Sequence, residues 1–554
     1  MSMATIAFKV KDLERDIGSM KELGERVQDL GMEIEASDGG EITFDISPNR
    51  PDMLDYTGFV RAYRQFLGKE RPDIGKYRVG RAPFLEVTVM PSVKGVRPFI
   101  AAMVVKGVNL KDGRLKYLIN FTEKFSITYG RRRKKIAMGL HNLDAVKGNL
   151  IYEASHDGRF VPLGSDNETS FAEILERHSK GVEYGYTVAR GRGRTMYPYL
   201  KDSEKILSMI PIINSKATAV RESTTALFID ITGTDRRAVE RALDILACSF
   251  IDQGCEVHPC IIKYGSMAEH TPSLGARRIA VSTAKASSRI GVPMTSNEML
   301  AHASKMGYGT KAEGKRAVLE LPPYRLDLIN DQDVIEDIAV GYGYRNITPK
   351  PIFTAGAAGA EHKNPVVRAA LEKLMVGLGY TEALNMHLTN EEINFSNMGR
   401  KHDEKSAVEV AESKTEAITM LRTSILPQLL QNLGASTSER MPQRLFEVGS
   451  VFRVRDGIVV EDITIGFLSE HSKANLAEAR TVVNYIIDLL KLKANIKSGN
   501  DPSMIEGRTG TVADGAGAVH RGVFGELHPE VLTKFGIEEP VVGGEIVVEA
   551  DVKR

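Results

Sequence analysis

The sequence predicts a multidomain α+β protein, and three observations carry that reading. The chain has 554 residues, too many for one hydrophobic core, so about three or four domains are expected. Short strand-like runs of alternating polarity interleave with amphipathic helical runs along its length. Pro, Gly and Ala punctuate these runs, most densely in PKPIFTAGAAGA at 349–360.

Residues 1–75 read as an N-terminal α/β module. TIAFKV is a strand, and Asp12 to Leu30 a helix with Leu13, Ile17, Met20, Leu23 and Leu30 on its apolar stripe. EITFDI is a second strand, broken by Ser47-Pro48-Asn49-Arg50-Pro51-Asp52. Two prolines there forbid a continuing ladder or helix, and Asn and Asp stabilise turns. A helix from about Met53 to Leu67 follows.

Residues 76–265 carry strands near 85–90, 98–106 and 225–231 and helices near 115–129 and 235–253. Within them, the Gly-, Arg- and Tyr-rich stretch 181–200 reads as an irregular surface segment. Residues 269–347 make a compact unit. Its strand RRIAVST precedes Thr295 and Glu298, whose capping-box spacing opens a helix through Met306. RAVLELPPYR is a strand stopped by two prolines, and Asp331 to Gly341 is a helix. Residues 348–362 read as a linker. The α/β unit 363–554 has helices near 364–378, 425–438 and 473–491, and the strands RLFEVGSVFRV and EIVVEA.

The formal net charge is +1, from 73 basic and 72 acidic residues, so any RNA contact must come from local patches. No run approaches the roughly 18 apolar residues of a membrane span, and the N-terminus has no apolar signal-peptide segment. Three cysteines argue against a disulfide scaffold and for a reducing, cytoplasmic setting.

Asp327, Asp333, Glu336 and Asp337 are the most informative cluster. Positions 333, 336 and 337 share one helical face, and hard oxygen ligands so grouped suit Mg²⁺. Acids in a helix's first turn also simply complement its dipole, and a cation from another subunit is a third reading. The run Arg131-Arg132-Arg133-Lys134-Lys135 could hold RNA phosphates or be a solvated face. Tyr117, Phe121, Phe125 and Tyr129, spaced by four before it, read as core rather than as a base-stacking platform. Ser208, Asn214, Ser215, Asp230, Thr232 and Thr234 could line a pocket that orients a water, and are equally ordinary turn and strand-end residues. Cys248, Cys255, Cys260 and His258 lack the paired spacing of a zinc site. Phosphate-loop, dinucleotide, nucleophile-elbow and zinc-protease motifs are absent.

Five stretches in order resemble a known family: DISPNRPDMLDYTGFVRA, GRRRKKIAMGLHNLD, PIINSKATAV with LFIDITGTD, YRLDLINDQDVIEDIAVGYGY, and RLFEVGSVFR. Together they are similar to the β subunit of phenylalanyl-tRNA synthetase, of the archaeal and eukaryotic-like type. The resemblance implies an α₂β₂ complex that attaches phenylalanine to tRNA(Phe), with ATP as substrate. It implies a B3/B4 editing-type domain at 76–265, a winged-helix-like B5 domain at 269–347, and a degenerate class II synthetase antiparallel-sheet domain at 363–554. It points to Mg²⁺ on Asp327, Asp333, Glu336 and Asp337, shared with the α subunit, with Asp at 337 where Glu is also found. It points as well to hydrolysis of tyrosine-mischarged tRNA, with Ser208, Asn214, Asp230 and Thr232 as pocket candidates.

Such a class II site needs an arginine in an F-R-x-E strand and a later Gly-rich motif ending in Arg. Around Phe446 and Glu447 that order is missing, and neither GELHPEVL nor VVGGEIVVE supplies the second motif. No aminoacylation residue is therefore expected in this chain. A free-standing editing deacylase and a non-catalytic tRNA-binding scaffold are the competing readings, and the synthetase-like C-terminal region favours the ligase subunit.

Overall fold

In the computed structural model, which describes residues 4–38, 40–188, 195–275, 277–313, 316–349, 351, 359, 363–413, 415, 417–514 and 520–549, alternation of buried and half-buried residues makes Ala4–Lys9 the first strand. It pairs antiparallel with Glu41–Ile46, which also pairs with Glu33–Asp38. The helix expected from Asp12 to Leu30 is broken into Val10–Asp16, Met20–Arg26 and a 3₁₀ turn. Gly18, at φ +99°, turns the chain, and the Ser19 hydroxyl accepts from the Glu22 amide to start the second piece. The helix expected from Met53 starts at Tyr56, because Pro51–Leu54 is a 3₁₀ turn and Asp55 caps the helix at Gly58 N, 2.9 Å away.

The second layer is a ten-stranded mixed sheet. Ala226–Gly233 lies between Phe99–Lys106 and Ile136–Asn142, antiparallel to both. Helix Arg236–Asp252 packs against the first two of these strands. The aromatic stripe Tyr117, Phe121 and Phe125 is buried core, with the Tyr129 ring tilted against Phe125. The stretch 181–200 is not wholly irregular surface: Tyr197–Lys201 is a sheet strand, and buried Tyr197 and Tyr199 pack on Phe171. Rings carry enough apolar area to bury a strand that Gly and Arg neighbours disguise; its residues 189–194 lie outside the described ones.

A three-stranded sheet with Arg316–Leu321 at its centre follows. Thr295 and Glu298 form both bonds of the capping box on helix Ser296–Lys305, and Asn330 with Asp333 does the same on Asp331–Tyr342. The linker expected at 348–362 falls almost entirely outside the described residues.

Residues Met1–Pro351 form one compact unit and Ile352–Arg554 a second. In the first unit, one apolar core runs from Ala4 to Ile338, and a buried charge cluster ties its parts together. Arg50 donates to both Asp52 oxygens at 2.9 Å, Arg61 pairs with Asp252, and Lys76 reaches Asp252 at 2.7 Å. The Arg61 guanidinium lies 3.5 Å from the ring centroid of Tyr324, and neighbouring Arg325 clasps Asp327 and Asp337. Burial alone would push the Asp52 carboxyl up, but the arginines around it hold it below the usual carboxylate range.

The second unit is built on a seven-stranded sheet whose long hairpin joins Gln443–Arg455 to Ile458–Glu470. Phe446, Val448, Ile465 and Phe467 face helices Lys363–Gly377 and Leu476–Leu490, while Val451 and Leu468, of opposite parity, face helix Leu426–Ala435.

Asp52→Ala strands Arg50 and part of Arg61 in the core, and the expected cost is about 3–5 kcal/mol for unfolding the first unit. Urea unfolding followed by tyrosine fluorescence measures it; a loss below about 1 kcal/mol would contradict the role given to this cluster.

Candidate functional site

The four polar residues singled out from the sequence, Ser208, Asn214, Asp230 and Thr232, line one cavity of about 540 Å³, walled by strands from the two ends of the ten-stranded sheet's strand order. Strand geometry brings them together. Ser208 and Asn214 are directly opposed in a short hairpin, and Asp230 and Thr232 share one face of Ala226–Gly233 through their period-two spacing. Asn214 donates to the Leu140 carbonyl at 3.0 Å. The Ser208 hydroxyl is buried and has no partner within the described residues. A pocket-lining hydroxyl left unpaired in this way is available to a ligand.

Sequence reasoning missed the support behind these residues. His141, fully buried, places Nε2 3.1 Å from Asp230 Oδ1 and Nδ1 2.8 Å from Thr218 Oγ1. The Asp230 carboxylate accepts, so Nε2 carries the proton and Nδ1 accepts from Thr218. Gly139 sits opposite Asp230 in the ladder, and a Cβ there would lie 2.3 Å from Asp230 Oδ1. Arg97 donates to Thr232 Oγ1 at 3.0 Å and to its carbonyl at 2.7 Å, and burial lowers its pKa to about 10. The alternation in IAMGLHN could have pointed to His141, since Gly139 and His141 take the same strand face; Arg97, 135 residues from Thr232, left no local signal.

The basic run divides. Arg131, Arg132 and Arg133 all have positive φ, at 51°, 51° and 67°. This left-handed turn swings Arg133 into the cavity wall, where it donates to the Pro211 and Ile212 carbonyls at 2.9 Å and lies 4.0 Å over the Tyr184 ring. Arg131, Arg132 and Lys134 remain exposed, and Lys135 pairs with Asp235 at 3.5 Å. Among the described residues Ser208 meets no base at the cavity, so the arrangement suits a held water better than a covalent intermediate.

The four carboxylates expected to gather around Mg²⁺ are not gathered. Asp327 takes Arg325 Nε at 2.8 Å and Nη2 at 2.5 Å. Asp337 is buried, with Arg325 at 2.7 Å and the Tyr308 hydroxyl at 2.6 Å. Asp333 caps its helix through the amides of Ile329 and Asn330, and Glu336 is exposed. The helical spacing is as expected, but packing turns Asp337 inward toward an arginine that is itself buried. Among the described residues no group of three or more His, Cys, Asp or Glu is arranged to hold a metal. With Asp327 and Asp337 held by Arg325 and Asp333 by backbone amides, Glu336 alone of the four is left open, and the set does not fit Mg²⁺. Cys248 and Cys260 are buried, and burial pushes the Cys260 thiol up to about 12.

Three family models match the chain: the B3/4 domain over residues 83–248, the tRNA synthetase B5 domain over 279–344, and the phenylalanyl tRNA synthetase beta chain CLM domain over 347–548. A phenylalanine–tRNA ligase beta subunit from Archaeoglobus fulgidus is 37% identical over 557 residues, covering 99% of this chain and 98% of that one. One from Methanosarcina barkeri is 34% identical, covering 98% of both. Among solved structures, an N-terminal fragment of the phenylalanyl-tRNA synthetase beta subunit from Pyrococcus horikoshii matches at 31% identity and a TM-score of 0.57, covering 61% of this chain and all of that one.

Arg325→Met would free Asp327 and Asp337 together. The expected result is a Mg²⁺-dependent rise in melting temperature in that variant and none in the unaltered chain; equal shifts in both would contradict the misfit described above.

Proposed function

The chain belongs to the family of phenylalanine–tRNA ligase β subunits, components of an aminoacyl-tRNA ligase complex, and from that premise we propose that it removes tyrosine from mischarged tRNA(Phe) while a partner α subunit performs the charging. One observation carries the hydrolytic half: four polar side chains, one of them a buried hydroxyl with no partner, converge in the cavity inside the region matched as B3/4.

The physical need for a second site is that an apolar pocket built for phenylalanine rejects an added hydroxyl weakly. A site that must hydrogen-bond that hydroxyl works the other way, since phenylalanine would leave its polar groups unpaired. In this reading Ser208 and Asn214 offer hydrogen bonds to the bound amino acid or its ester. Asp230, held by His141 and Gly139, orders the attacking water. Arg97 places a cation beneath the site, and exposed Arg131, Arg132 and Lys134 meet tRNA phosphates.

The division into modules 1–75, 76–265, 269–347 and 363–554 belongs to the same proposal, with the third segment winged-helix-like and the last a class II synthetase fold without an active site. Activation with ATP then falls to the α subunit of an α₂β₂ assembly. Leu384 and Met386, 74% and 73% exposed in the second unit, give that partner an apolar surface. A Mg²⁺ ion shared with the partner would have to displace Arg325 from Asp327 and the amides from Asp333, so no step is assigned to it. No described helix is long and apolar enough to cross a membrane.

The test is hydrolysis of tyrosine-charged tRNA(Phe) by the α–β complex. Asp230→Ala is expected to slow it by about 10²-fold or more while phenylalanine charging persists. Equal hydrolysis rates would remove Asp230, and the pocket with it, from the reaction.

A further inference from the structure

The cavity in the first unit has two unlike ends. Ser208, Asp230 and Thr232, each no more than 2% exposed, make its closed end polar. Ile119 and Leu163, 43% and 46% exposed, line its open end with apolar surface. Ile119 stands on helix Arg114–Ile127, and Leu163 is fixed opposite the hairpin by its amide, which donates to the Asn214 carbonyl at 2.9 Å.

His178 reaches the same cavity, half-buried, from between helices Phe171–Arg177 and Ser179–Tyr184. Backbone contacts set its place. Its amide donates to the Ile174 carbonyl at 3.1 Å, its carbonyl accepts from the Val182 amide at 2.9 Å, and a side chain at Gly181 would collide with that Ile174 carbonyl. Its ring is oriented as well, because Nδ1 accepts from the Lys180 amide at 3.2 Å. In the neutral ring the proton therefore sits on Nε2. That N–H has no partner among the described residues.

The charges at this end balance. Lys180 reaches Glu123 at 3.5 Å and Glu183 at 3.6 Å, and Arg133 is held by the Pro211 and Ile212 carbonyls at 2.9 Å. Two cations thus stand against two carboxylates, and no free cation awaits a phosphate. The open end matches a neutral group instead: a hydroxyl to accept from Nε2–H, beside an apolar plane to cover Ile119 and Leu163.

We propose that His178 binds the sugar of the 3′-terminal nucleoside that carries the amino acid. Its Nε2–H donates to the free ribose hydroxyl beside the ester, and the base lies on Ile119 and Leu163. The inference rests on the hydrolytic reading and adds a substrate contact to it. The tyrosyl group enters the polar end, and the nucleoside stays at the apolar rim. A donor held by the backbone before substrate arrives loses little ordering entropy on binding, so it fixes the ester relative to Asp230.

Calorimetric titration of the α–β complex with two hydrolysis-resistant amides tests it: tyrosine joined to 3′-amino-3′-deoxyadenosine, and the same compound lacking the neighbouring 2′-hydroxyl. The unaltered complex is expected to bind the hydroxyl-bearing amide about fivefold more tightly. His178→Asn keeps a side-chain oxygen for the Lys180 amide and removes the outer donor, so it is expected to lose this preference and keep the melting transition. His178→Gln gives up that cap and places an amide nitrogen near the Nε2 position, so it is expected to keep the preference. A purely structural role for His178 predicts the reverse order. A preference kept in His178→Asn, or lost in both variants, would overturn the inference. Failure of the unaltered complex to bind either amide would overturn it too, and hydrolysis of tyrosine-charged tRNA(Phe) by that complex then shows whether the hydrolytic reading falls with it.

Discussion

Arg50, Arg61 and Arg325, buried with Asp52, Asp252, Asp327 and Asp337, are the constraint on which the first 351 residues depend. Each of these charges alone would be expensive to take from water, and the set persists because each has an opposite partner within hydrogen-bond reach. The members come from three stretches distant in sequence: the turn at 50–52 with its following helix, the end of Arg236–Asp252, and residues 325–337, which run into helix Asp331–Tyr342. Such a cluster gives little net stability compared with apolar packing, but removing Arg325 leaves Asp327 and Asp337 without their cation, and removing Asp52 leaves Arg50 without its anion. It therefore specifies one arrangement of these three stretches. Helix Arg236–Asp252, pinned through Asp252, packs on the strand that carries Asp230 and Thr232.

That chain of dependence reaches the pocket. Asp230 is aimed by the buried imidazole of His141 and by the absence of a side chain at Gly139, Thr232 by Arg97, and Asn214 by the Leu140 carbonyl. Ser208 is the member left open. A site whose polar groups are fixed before substrate arrives loses little ordering entropy on binding, and a group left unpaired discriminates between ligands with and without a hydroxyl.

The sequence made the regular parts legible. Period-two runs located the strands that became Ala4–Lys9, Glu41–Ile46 and Ala226–Gly233, and the Thr295–Glu298 spacing located a helix start that forms both expected bonds. The break at Gly18 was concealed because apolar spacing continues across it from Ile17 to Met20. The residues alone left the pocket and ordinary strand ends equally open, and the family resemblance singled out the four, since small polar residues at strand ends carry no chemistry until the sheet juxtaposes them. His141 and Arg97 act across 89 and 135 residues, a separation that no local pattern encodes. The carboxylate cluster illustrates the opposite failure. Helical spacing correctly placed Asp333, Glu336 and Asp337 on neighbouring positions, but Arg325, only two residues from Asp327, decides which oxygens are free.

The account's central claim is a division of labour, with proofreading in this chain and activation in its partner. Phenylalanine-dependent ATP–pyrophosphate exchange, measured on the isolated β chain and on the reconstituted α–β complex, tests it most directly. The account predicts exchange by the complex and none by the β chain. Phenylalanine-dependent exchange by the β chain alone would contradict it.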